Sequence, residues 1–129
     1  MVFAPSSLIL TNYYLPLSEA LCVSLMRNLN PTEIVIITKL LKMAKLEVDI
    51  SQLLVNPMND GGMGSLAIGY NYDSRQLGQE IAEYMFKDLD GTPVSAALNI
   101  DKQGNLYELD IWKVDFSPTQ MRNKLDTHP

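Results

Sequence analysis

The chain of 129 residues contains one cysteine and one histidine. Cys22 alone cannot form an internal disulfide, and its neighbours Leu21, Val23 and Leu25 read as the surroundings of a packed thiol in a reducing compartment. His128 stands next to the last residue, where no fixed nucleophile–base pair can be built around it, so triad-type acyl transfer is not expected. The same scarcity argues against a zinc site, and nothing in the sequence calls for a cofactor. No apolar run approaches the ~18 residues needed to span a bilayer. Met1–Pro5 also lacks the basic start of a signal peptide, so a cytoplasmic location is expected. Lysine and arginine number 10 against 15 acidic residues, a net charge of −5. A nucleic-acid backbone is therefore a poor direct partner, and a basic protein a better one.

What is present suffices for one domain, 1–129, with a single core: 47% of the residues are hydrophobic and 19% charged. The charge is unevenly placed. Residues 1–46 hold four bases and two acids, whereas residues 47–115 hold twelve acids and four bases, a net −8. Such a lopsided field speeds encounter with a positively charged protein; the plainer reading is that acids solvate a strand face.

Residues 1–15, apolar and aromatic, read as a short strand or an extended arm. A helical part follows over 16–46. Leu21, Leu25 and Leu29 recur every fourth residue with Cys22 and Met26 beside them, giving a first helix from Ser18. Asn30, Pro31 and Glu33 form the start signal of a second, with Ile34, Ile37, Leu41 and Ala44 on its apolar face and Lys39, Lys42 and Lys45 toward its end. The β-branched run Ile34–Thr38 would also suit a strand, and the cap signal decides for helix.

The remainder, 53–118, has strand character, and 119–129 is a tail expected to fray. Strands are expected at Leu53–Val55, Leu66–Tyr70, Glu80–Asp88, Val94–Ile100 and from Leu106, with polar, exposed chain over Asn71–Gln79. Gly61, Gly62 and Gly64 come without a P-loop lysine or a following helix, which favours a tight structural loop over a phosphate cradle. The turn at Asp101–Asn105 sets Ile100 opposite Tyr107, Leu98 opposite Leu109 and Ala96 opposite Ile111, all inward. A turn at Asp90–Thr92 sets Tyr84 opposite Leu98 and Phe86 opposite Ala96. After Ile111 the apolar phase moves to Trp112, Val114 and Phe116, a sign of a bulge or of a strand end covered on both faces. The expected fold is α+β: two N-terminal helices packed on one face of an antiparallel meander of four to five strands.

In that register Glu108, Asp110 and Trp112 stand together on the outer face. With Asp60, Asp101 and Asp115 they are the candidate partner-binding residues: carboxylates to orient a basic protein and an indole to anchor it. The competing reading puts Trp112 in the core. A different class of function, a small hydrolase or metal-dependent enzyme, would use Asp60, Glu108 and Asp110 as acid, base or metal ligands. A third is a homodimeric regulatory module pairing through a sheet edge.

The segments Asp60–Leu66, Asp90–Val94, Leu98–Asp101 and above all Leu106–Pro118, LYELDIWKVDFSP, resemble a family of small bacterial proteins of unknown function. As a small acidic single-domain protein the chain also resembles the immunity proteins that accompany polymorphic toxins, including those of contact-dependent growth inhibition. That resemblance implies a non-enzymatic protein that binds a cognate toxin domain, often a nuclease, inside the producing cell and blocks its active site.

Overall fold

The computed structural model describes residues 26–120. Asn30 starts the one α-helix among them, α1 (Pro31–Ala44), in the way its cap sequence predicts. The Asn30 side chain accepts from the Glu33 N–H, the Glu33 carboxylate accepts from the Asn30 N–H, and Pro31 sits in the first turn. The buried face holds Thr32, Glu33, Ile36, Ile37, Leu40 and Leu41. This corrects the expected stripe: Ile34 is 38% exposed, and Ile36 and Leu40 take the inward positions. Residues 34–37 are all apolar, so several stripes were open to the helix and packing against the sheet selects one.

The arm 1–15, most of the expected first helix and the tail beyond Gln120 lie outside the described residues. The end of that helix is corrected. Residues 26–29 are not helical, and Arg27 pairs antiparallel with Val55 through backbone bonds of 2.9 and 2.8 Å. Leu29 joins the core.

Five strands form one antiparallel sheet: β1 (Val55–Pro57), β2 (Leu66–Ile68), β3 (Leu77–Lys87), β4 (Pro93–Asp101) and β5 (Leu106–Lys113). Their order is β1-β2-β5-β4-β3, so the class is α+β as expected but the sheet is not a simple meander. Two runs of consecutive strands, β1–β2 and β3–β4–β5, are joined out of sequence: β2 lies beside β5, with Leu66 opposite Leu109. The chain reaches β3 by a crossover through a 3-10 turn at Tyr72–Ser74, and Leu77 is already paired with Asp101, which shortens the expected polar loop 71–79.

Between β4 and β5, Ala96 faces Ile111 and Leu98 faces Leu109 as predicted, but Ile100 faces Leu106 rather than Tyr107. Tyr107 is the extra residue of a bulge. The loop closes tightly beneath it, the Asp101 N–H donating to the Asn105 carbonyl at 2.8 Å. Between β3 and β4, Tyr84 faces Ala96 and Phe86 faces Val94, two residues from the expected register. Because the shift is even, each side chain stays on its predicted face.

α1 covers the inner face of β3 and β4. Ile37, Leu40, Val55, Leu66, Leu98 and Leu109 are each at most 1% exposed there. The expected change of phase after Ile111 does not occur. Alternation continues, and the next inward position holds Lys113, which is 0% exposed. Its Nζ donates to Asp90 Oδ2 at 2.7 Å, Asp88 Oδ2 at 2.9 Å and the Pro118 carbonyl at 3.3 Å.

Two substitutions test this packing by urea unfolding. Leu98→Ala, at the centre of the sheet, should cost about 2–5 kcal/mol. Asn30→Ala, which removes the cap, should cost about 1 kcal/mol and leave the m-value unchanged.

Candidate functional site on the outer sheet face

The face of the sheet opposite α1 is floored by small side chains. Ala67, Ser95, Ala97 and Asn99 are 6–8% exposed, flattened between neighbouring strands. Period-two alternation places Glu83 and Met85 of β3 and Glu108, Asp110 and Trp112 of β5 on that same side, since Asn99 pairs with Glu108, Ala97 with Asp110 and Glu83, and Ser95 with Trp112 and Met85. The result is two zones. Glu83, Glu108 and Asp110 form an acidic patch, and Met85 and Trp112 form an apolar row beside it.

Each carboxylate of the patch is held. Ser95 Oγ donates to Glu83 Oε2 at 2.9 Å. Tyr72 Oη donates to Glu108 Oε2 at 2.5 Å, and Asn99 Nδ2 to Glu108 Oε1 at 3.4 Å. Tyr72 stacks on Tyr107 with 4.6 Å between ring centres, so the β5 bulge presents Tyr107 and Glu108 to one crossover residue. Burial, followed by the Glu108 carboxylate, pushes the Tyr72 hydroxyl well above its ordinary pKa. Asp110 is touched by Ser65 Oγ at 3.4 Å. Burial and then the neighbouring Glu108 and Asp60 charges raise its pKa, with the Ser65 bond opposing.

None of these three acids joins an ion pair among the described residues. The four pairs present are Arg27–Glu33, Arg75–Asp101, Lys113–Asp88 and Lys113–Asp90. The patch therefore carries unneutralised negative charge beside exposed apolar surface: Trp112 is 43%, Met85 58% and Phe116 67% exposed. Phe116 meets Trp112 edge-on, with ring centres 5.7 Å apart, from a backbone φ of +63° that bulky residues seldom adopt.

The other candidates are placed differently. Asp60 caps its own loop, accepting from the N–H groups of Ser65, Met63 and Gly64 at 2.8, 3.1 and 3.4 Å. Those N–H groups are the ones a phosphate would need, and an internal carboxylate already occupies them. Asp101 is 2% exposed, bonded to Gln103 and Asn105 N–H groups and to Arg75. Asp115 turns onto Ser117, whose hydroxyl and N–H donate to Oδ1 at 2.6 and 3.0 Å.

A cavity of about 120 Å³ on the other side of the sheet is lined by Arg27, Glu33, Asp60, Ser65 and Thr119 among others, but not by Glu108 or Asp110. The three acids of the hydrolase reading thus do not share one concavity. No cluster of three His, Cys, Asp or Glu side chains among the described residues is arranged to hold a metal ion. Glu83, Met85 and Phe116 were not among the sequence candidates. The first two were legible as the outward partners of Ala82, Tyr84 and Phe86. Tyr72 was not, because only the crossover brings it to Glu108.

A family model matches residues 26–122, and the chain belongs to that family, described as a domain of unknown function (DUF6984). The match takes in α1 and all five strands. No curated protein and no solved structure matches the chain. No helix among the described residues is long and apolar enough to cross a membrane.

The carboxyls titrate in two opposite senses. Lys113, with the Thr92 N–H, lowers Asp90 from 3.8 to about 2. Burial raises Asp60 and Asp101, but the hydrogen bonds they accept outweigh it and leave both lowered. Their contributions are present above pH 4 and lost as pH falls through the folded-state values. Stability should decline from about pH 4 down to about pH 2, and Asp90→Asn should flatten that limb. Asp110, raised, acts the other way: Asp110→Asn should stabilise the fold at neutral pH and lose that advantage in acid. Urea midpoints between pH 2 and 7 check both.

Proposed function

We propose that this protein is an immunity protein: a non-enzymatic, cytoplasmic domain that binds a cognate bacterial toxin domain and masks its basic active-site cleft. A nuclease is the best-suited toxin class, because a cleft built to hold nucleic-acid phosphates presents lysine and arginine to an acidic surface. One observation carries the reading. Among the described residues Glu83, Glu108 and Asp110 stand without a cation on the outer sheet face, and Trp112, Met85 and Phe116 lie exposed beside them. Carboxylates set approach and orientation, and aromatic side chains supply contact area at small entropic cost.

The roles divide accordingly. Glu108, fixed by Tyr72 and Asn99, is a preorganised acceptor for a guanidinium. Asp110, held above its ordinary pKa by burial and by Glu108, gains most from an incoming cation, which lowers its pKa and relieves the repulsion. Trp112 is the anchor. Asp60, Asp101 and Asp115 support the loops around this surface.

The test is co-expression with the product of the neighbouring gene, where a cognate toxin is expected. Glu108→Lys with Asp110→Lys should abolish capture of the toxin fragment and protection of the cell while the fold survives, as read by circular dichroism. Trp112→Ala should weaken binding by about 2 kcal/mol or more. Full protection by the charge-reversed variant would remove this face from the interface. Rates of association should fall steeply with salt.

A further inference from the structure

We propose that the chain forms a two-fold dimer by pairing β3 with β3 of a second copy, Met85 opposite Met85. The proposal goes beyond the toxin reading and stands or falls without it.

The strand ends the sheet, and among the described residues nothing pairs with its outer side. Its bulges fall between Leu77 and Gln79 and between Glu80 and Ala82, which leaves Ala82–Lys87 as a regular edge. The turn tells which backbone groups that edge offers. The Asp88 N–H donates to the Thr92 carbonyl, so Asp88 and Thr92 are a bonded pair. By alternation, Phe86 and Tyr84 are bonded to β4, and Glu83, Met85 and Lys87 turn their N–H and C=O groups outward. Pro93 agrees with this: it stands opposite Lys87 without an N–H to give, and its carbonyl is turned away to the Val114 N–H.

An antiparallel second strand must match outward residue to outward residue. With Met85 on the axis, Glu83 lies opposite Lys87 of the second copy, and Lys87 opposite its Glu83. On the inner side, Tyr84 meets Phe86 and Phe86 meets Tyr84. Each pair is of a kind that stabilises sheets. Moving the axis to Glu83 or Lys87 sets like charges face to face, and the registers between make no charge pair. The edge is therefore self-complementary in one register.

The helix adds a second observation. Lys39 Nζ lies 4.4 Å from the Tyr84 ring centre, which fixes the side of α1 that borders this edge. Val35 and Met43, four residues before and after Lys39 on the same side, are 56% and 47% exposed. The second copy supplies a cover for them. The opposite sheet edge, β1, has three residues and is met by Arg27 at Val55, so assembly stops at two rather than growing into a fibre.

Sedimentation equilibrium of the full chain over a range of concentrations reads the outcome. A concentration-dependent dimer is expected. Lys87→Glu should raise its dissociation constant about tenfold or more, since each dimer loses two favourable pairs and gains two like-charge ones. Met85→Lys, which sets two ammonium groups on the axis, should weaken it at least as much. The exchange Glu83→Lys with Lys87→Glu should restore association. A wild-type monomer at every concentration, or a dimer indifferent to Lys87→Glu and Met85→Lys, overturns the proposal; a folded double variant that fails to recover overturns the register.

Discussion

The ammonium of Lys113 is the interaction on which the rest of this structure depends. A lysine with no exposure is tolerable only if its charge is met and its protons are all placed, and here three acceptors take them. Two belong to the β3–β4 turn and one to the segment after β5, so a single group ties two stretches of chain to the end of the sheet. The Asp88 oxygen that accepts from Lys113 also accepts from the Gln120 N–H at 2.8 Å. Thr119 then bonds the loop at Gly62 and Met63. Gly62 has φ +83°, where a side chain would be strained, and an added Cβ would also stand a tight 3.1 Å from that of Pro118. Loops remote in sequence thus close around one buried cation.

Much of this organisation is legible from local chemistry. The capping box of α1 is read from Asn30 and Glu33, and the inward residues of β4 and β5 from alternation, because both signals concern neighbours a few residues apart. What is not legible depends on long-range choice. The place of β2 beside β5 follows from no turn signal, and the bulge at Tyr107 is set by how Asp101 closes its own loop. Lys113 was hidden for another reason: a lysine breaks the apolar pattern, so the period appeared to shift to Trp112, Val114 and Phe116. Its partners Asp90 and Asp88, 23 and 25 residues earlier, could not be paired with it in advance. Of the candidate acids, Glu108 and Asp110 could be placed outward by parity. Asp60, Asp101 and Asp115 sit beside turns, where a carboxylate readily bonds the nearby backbone.

This partition explains why the outer face is acidic. Glu33, Asp88, Asp90 and Asp101 are consumed by ion pairs, and Asp60 and Asp115 by loop N–H groups. Glu83, Glu108 and Asp110 remain held by hydroxyl, amide or phenol groups that orient a carboxylate without neutralising it. Folding around such a patch carries a modest electrostatic cost, softened by exposure and by salt. The raised pKa of Asp110 is the local sign of that cost. A cationic partner of the kind proposed would remove it, so the same arrangement that slightly opposes the isolated fold would favour a complex.

The outer edge of β3, unpaired among the described residues, and the acidic face meet at Glu83, and their demands on it differ. Directly opposite residues in an antiparallel pair point to the same side, so a dimer centred on Met85 sets both outer faces on one side of a continuous sheet. Its field is then broader than that of one subunit, which favours encounter with a basic surface. Pairing with Lys87 neutralises Glu83 in that state, however, and removes it from what the face offers. Glu108 and Asp110 lie two strands in from the edge, roughly 10 Å away at normal strand spacing, and keep their charge whether or not the edge is occupied. In the proposed dimer the recognition chemistry of the face would therefore rest on β5, while β3 would supply the contact that sets how many such faces act together.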